Sequence, residues 1–139
     1  MVIFYTLPPI DISYPFVLVN SNNFESGYRY ILRHRRNIER IILDAGVEYF
    51  RRPRYKVVID GHQSYDYPGG PEAWIQRLVR LYDRVRSVAG KGVEVYVTCA
   101  DYPDDYYHRA LWLSEDFTNI ERTVMNVLKC VDWYQDVEW

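Results

Sequence analysis

Hydrophobic and polar positions along the chain switch repeatedly between a period of two and a period of three to four. "VIFYTL" (2 to 7) is rich in β-formers and is closed by Pro8 and Pro9, and "FVLVN" (16 to 20) is a second short apolar run. Both predict buried strands. "FESGYRYILRHRRN" (24 to 37) places Phe24, Tyr28, Ile31 and Leu32 at helical spacing behind the N-cap candidates of "NSNN", although Gly27 weakens the pattern. "RIILD" (40 to 44) predicts a third strand. Residues 51 to 70 carry little signal, and "KVVID" within them suits either a strand or a turn of helix.

The second half is plainer. "PEAWIQRLVRLYDRVRSVAG" (71 to 90) opens on Pro71, puts Trp74, Leu78, Leu81, Val85 and Val88 on one face and ends at Gly90, which predicts an amphipathic helix. "VEVYVTC" (93 to 99) predicts a strand entering the core. Thr118 and Glu121 form a capping box for "NIERTVMNVLKCVDWY", whose Ile120, Val124, Val127, Leu128 and Val131 are expected to be its buried stripe. Strands alternating with helices imply an α/β fold: one domain over residues 1 to 139 with a parallel sheet of βα repeats and right-handed crossovers. The arrangement suits half of a (β/α)8 barrel or an open doubly wound sheet.

Three strands end on a polar side chain: Asn20, Asp44, and Asp101 beyond "VEVYVTCA". Parallel strands bring their C-terminal ends to one edge, where α/β proteins bind ligands, so these groups are expected to converge. Asp44 could act as a general base or orient a substrate N–H, and Gly46 behind it leaves room for a ligand to approach the backbone. The plainer alternative is an Asp that caps or ends its strand in a turn. Tyr102 and Pro103 could wall a pocket in which Asp101 accepts hydrogen bonds from a planar heterocycle.

Composition narrows the chemistry. Apolar residues make up 48% and charged residues 26%, as in a folded soluble domain, while 14 Tyr, 5 Phe and 4 Trp supply aromatic surface suited to an interface. Asp101, Asp104 and Asp105 lack the cadence of a calcium loop, and Cys99 and Cys130 lack zinc spacing, so no metal and no cofactor is expected. The two thiols suggest a reduced intracellular protein, with Cys99 packed in the core. His34, His62 and His108 share no motif and are expected on the surface or in loops. The N-terminus has no basic leader and is broken by prolines, which argues against a signal peptide or membrane span and for a cytoplasmic protein. Net charge is −2, yet residues 1 to 60 hold nine Lys/Arg against six Asp/Glu. Arg35, Arg36, Arg51 and Arg52 could therefore meet the phosphates of a nucleic acid, or form an ordinary solvated face.

"ILDAGVEYF" resembles the D-S-G-G-F segment of tRNA-guanine transglycosylases, with Ala45 and Val47 departing from the family's Ser and Gly. "VTCADYPDD" is similar to that family's later strand-end segment, and "NIERTVMNVLKCV" to the helix that follows it. The resemblance spans about residues 40 to 131. It implies a barrel that exchanges guanine in tRNA for a 7-deazaguanine, with Asp44 as the acid/base carboxylate and Asp101 reading the edge of the base. The family's nucleophilic Asp, its Gln-Gly-Gly segment and its zinc cluster would fall beyond Trp139. The expectation is a half domain that binds a purine or 7-deazaguanine base, or the tRNA carrying it, without catalysing exchange alone. Homo-oligomerisation through exposed sheet edges, or a second chain completing the barrel, would then be needed. The alternative is a non-catalytic interaction protein on the same scaffold; a metal-dependent hydrolase using the acidic loop ranks third.

Overall fold

The computed structural model describes residue 4 and residues 12–47, 56–59, 62–102 and 116–139. Three parallel strands form the main sheet: β1 (Phe16–Asn20), β2 (Arg40–Asp44) and β5 (Glu94–Val97), in the spatial order β1-β2-β5. Between β1 and β2 the chain forms α1 (Phe24–His34). Between β2 and β5 it forms an antiparallel hairpin of β3 (Lys56–Ile59) and β4 (His62–Tyr65), then α2 (Pro71–Val88). After β5 comes α3 (Asp116–Trp133). The fold is α/β with a parallel sheet, as the alternation predicts. Within "KVVID", Lys56–Ile59 form a strand rather than a helical turn, and Ile59 pairs with His62. The strand predicted over 2 to 7 lies outside the described residues apart from Phe4.

One face of the sheet makes the core. Val17, Ile41 and Val95 align in register, as do Val19, Leu43 and Val97, and all six are buried. α1 packs on β1 and α2 on β5, and the helices are joined by Arg84, which pairs with Glu25 at 2.7 Å and lies over the rings of Phe24 and Tyr28. Among the described residues the opposite face is less covered. Phe16, Leu18 and Ile42 are half-buried there and Tyr96 is exposed, with Phe4 against Phe16 at 5.9 Å between ring centroids. Strands with one covered face alternate in burial, as these do, instead of being buried throughout.

The helices obey the predicted periodicity unequally. On α2, Trp74, Leu78, Leu81 and Val85 are buried, with Val88 at the margin. On α1, Tyr30 takes the buried place expected of Leu32, because its hydroxyl reaches back to the Ile12 carbonyl and receives the Tyr14 N–H. Gly27 is buried where the helix crosses β1: a Cβ there would stand 2.5 Å from Val19 Cγ1, so the absence of a side chain sets how closely helix and strand approach.

α3 reverses expectation. Val124, Val127, Leu128 and Val131 are 41–53% exposed, and Met125 is 54% exposed. The side turned inward carries Asn126 and Cys130. Asn126 donates to the Ala100 carbonyl at 2.9 Å, Thr123 Oγ1 accepts from the Tyr102 N–H at 2.9 Å, and Cys130 meets Cys99. These specific bonds to the segment after β5 hold the polar side of the helix against the body. Beyond α3, the Val97 N–H donates to the Glu138 carbonyl at 2.8 Å, so the chain's last residues occupy the outer edge of β5 at that point.

Candidate functional site

The C-terminal edge of the sheet is where the predicted strand-end residues fall. Asn20 and Asp44 end adjacent strands in register, and Asp101 and Tyr102 follow β5. Asn20 Oδ1 accepts from the Asn22 N–H at 2.8 Å and thereby caps a short 3-10 turn, Ser21–Asn23. Ser21, fully buried, donates to the Ala45 carbonyl at 2.9 Å; Trp74 Nε1 donates to the same oxygen at 3.0 Å. The Ala45 N–H donates to Thr98 Oγ1 at 2.8 Å, and that hydroxyl donates onward to Asp44 Oδ1 at 3.3 Å. β1, β2, β5 and α2 are thus sewn together at the strand ends by reciprocal polar contacts, which is how buried polar groups are satisfied.

Gly46 has φ 77°, a conformation glycine tolerates, and a Cβ would lie 2.1 Å from Asn22 Nδ2. The room that Gly46 was expected to leave for a ligand is filled by the Asn22 side chain, which donates to the Gly46 carbonyl at 2.9 Å. Asp44 is half-buried, and Thr98 is the hydrogen-bond partner of its carboxylate.

Asp101 and Tyr102 belong to a neighbouring cluster. The Tyr67 hydroxyl donates to the Asp101 carbonyl at 2.8 Å, and the buried Tyr102 donates its hydroxyl to Asp66 Oδ1 at 2.6 Å. Burial, with the Asp66 carboxylate alongside, holds the Tyr102 phenol well above its ordinary range and keeps it a donor. The Arg122 guanidinium lies 3.5 Å over the Tyr102 ring and 3.5 Å from Asp66 Oδ1. A cleft of about 360 Å³ opens here, lined among others by Asp66, Pro71, Tyr102, Asn126 and Lys129. Lys129 is paired with Glu72 at 2.7 Å. Such a cleft could take a small polar ligand, yet each cation in it already faces a carboxylate.

The basic residues stand elsewhere. Arg35 and Arg36 line a cleft of about 490 Å³ with Val88 and Gly90, where α1 and α2 end. Those helix ends lead into the starts of β2 and β5, so the two arginines sit at the opposite end of the sheet from Asp44. Arg51, Arg52, Pro103, Asp104, Asp105 and His108 lie outside the described residues. The His34 ring lies tilted against that of Tyr30, with ring centroids 4.5 Å apart. Among the described residues no group of His, Cys, Asp and Glu is placed to hold a metal ion, and no helix is long and apolar enough to cross a membrane.

The sequence reading missed Asp66, Arg122, Asn126 and Thr98. Asn126 was the most discoverable: an amide between Val124 and Val127 on an otherwise apolar helix marks a specific partner or a polar face. No family model, curated protein or solved structure matches the chain.

Proposed function

We propose that this chain is a non-catalytic interaction protein whose α3 seats its apolar face against the same face of a second copy. The observation that carries the reading is the outward stripe of Val124, Val127, Leu128 and Val131, flanked by Met125. The four stripe residues recur at i, i+3, i+4 and i+7, the seam by which one helix packs along another. A helix face of this kind is self-complementary under two-fold symmetry, the commonest arrangement of identical subunits.

Area favours a second copy of modest affinity. At the observed exposures the five residues present roughly 450 Å² of accessible surface, within the range of about 300–600 Å² for the largest patch of a monomer, which is often a functional one. Two such faces, with their polar margins, would bury on the order of 1,000 Å², the threshold of a specific interface. An interface at that threshold suits a weak, reversible dimer. Chemistry at the strand ends is less well supported, since Asn20, Ser21, Asn22, Thr98 and Trp74 are engaged with one another or with the backbone.

Sedimentation velocity on the full chain, from low to high micromolar concentration, tests the reading. The expected result is a reversible monomer–dimer equilibrium weakened at least tenfold by Val127→Asp and by Leu128→Asp, with unchanged circular dichroism. A wild-type protein that stays monomeric throughout overturns it, as does a dimer indifferent to both substitutions.

A second reading retains one supporting observation. Asp44 presents a half-exposed carboxylate, oriented by Thr98, at the edge where parallel sheets receive ligands. In that reading Asp44 and Asp101 bind a purine or 7-deazaguanine base, free or within tRNA, and glycosyl exchange would require groups supplied by another chain.

A further inference from the structure

Cys99 lies two residues past the end of β5 and is half-buried; Cys130 is fully buried on the inward side of α3. Their sulfurs stand 2.8 Å apart although 31 residues separate them in the chain. A disulfide needs an S–S distance of about 2.05 Å, so less than an ångström of sulfur movement separates this thiol pair from a covalent bond. Neither thiol has a role in the dimer face, which projects from the other side of α3.

The two sulfurs are not equivalent. Hydrogen bonding from Cys130 favours the thiolate of Cys99 and draws its pKa down, helped by the Ala100 backbone and opposed by burial and the Asp101 carboxylate. The same contact and burial push the Cys130 thiol up. A partly accessible, more acidic thiol beside a buried protonated one divides the work between an attacking and a resolving cysteine.

We propose that Cys99 and Cys130 form a reversible intrachain disulfide that locks α3 to the end of β5, with a low-molecular-weight disulfide such as oxidised glutathione as the oxidant. The Cys99 thiolate attacks one glutathione sulfur; the glutathione S–S bond breaks and one glutathione leaves as a thiolate, which takes up a proton. Cys130 then loses its proton and attacks the Cys99 sulfur, and the second glutathione departs. The protein dithiol loses two electrons and two protons, and the glutathione disulfide is reduced to two thiols.

The test equilibrates the full chain in graded ratios of reduced to oxidised glutathione, blocks residual thiols with iodoacetamide and maps peptides by mass spectrometry without reduction. The expected product is a chain without interchain cross-links that has lost both alkylatable thiols together and yields a Cys99–Cys130 cross-linked peptide, reversed by dithiothreitol. Cys130→Ser should instead stop at a stable glutathione adduct on Cys99. The wild-type map decides the question even if that variant fails to fold. Two thiols still alkylated at every ratio, adducts on both cysteines without a cross-link, or cross-links only between chains would overturn the proposal.

Discussion

Gly27 offers a sign test of how α1 meets the sheet. In an isolated helix, replacing glycine with alanine gains about 1 kcal/mol. Here the new Cβ would stand 2.5 Å from Val19 Cγ1, 2.9 Å from Cγ2 and 3.2 Å from Cβ. Val19 has no exposed surface, its β-branched side chain is stiff, and its backbone is held in register with Leu43 of β2. The methyl groups cannot swing aside, so α1 must lift. Overpacking of this kind costs about 1–3 kcal/mol, which outweighs the propensity gain at the upper end. Two approaches under 3.0 Å to a stiff, fully buried valine place the cost in the upper part of that range, about 2–3 kcal/mol, so net of the propensity gain of about 1 kcal/mol we expect Gly27→Ala to destabilise the protein by about 1–2 kcal/mol, lowering the melting temperature by about 3–6 °C for a domain of this size.

A double-mutant cycle isolates the contact. Val19→Ala alone should cost about 2–3 kcal/mol through lost methyl burial and the cavity left behind. In the double variant the new Cβ enters that cavity, and the combined loss should fall short of the sum by at least about 1 kcal/mol. Urea unfolding monitored by tryptophan fluorescence and circular dichroism measures all four proteins. A Gly27→Ala variant as stable as wild type, or strict additivity around the cycle, would refute the close-approach argument.

The buried Asn126 amide, donating to the Ala100 carbonyl, should be worth more than its polarity suggests. Asn126→Ala removes a buried donor and should cost about 1–3 kcal/mol in urea unfolding; an unchanged midpoint would mean that α3 is held by its other contacts. The nucleobase reading predicts saturable heat in calorimetric titration with guanine or a 7-deazaguanine, lost in Asp44→Asn with stability unchanged, and a silent titration of the wild type removes it.

Sequence periodicity alone determined which segments become strands and helices in the second half of the chain, and the alternation of those segments was enough to call for a parallel sheet. The buried face of α2 was readable because a long helix with one apolar side and a proline in its first turn has few other ways to sit. Tertiary structure decided the rest. Periodicity shows that α3 is two-sided, but which side turns inward depends on partners distant in sequence: Ala100 for Asn126, Tyr102 for Thr123 and Cys99 for Cys130. The same holds for Gly27, whose apparent flaw as a helix residue is the feature that lets α1 rest on Val19. The strand-end polar residues do share one edge of the sheet, yet Asn22 fills the space behind Gly46 and Tyr102 turns toward Asp66, because these side chains satisfy nearby donors and acceptors of the fold. A one-dimensional pattern records spacing and polarity, while the choice of neighbour is made by packing and hydrogen bonding across the fold.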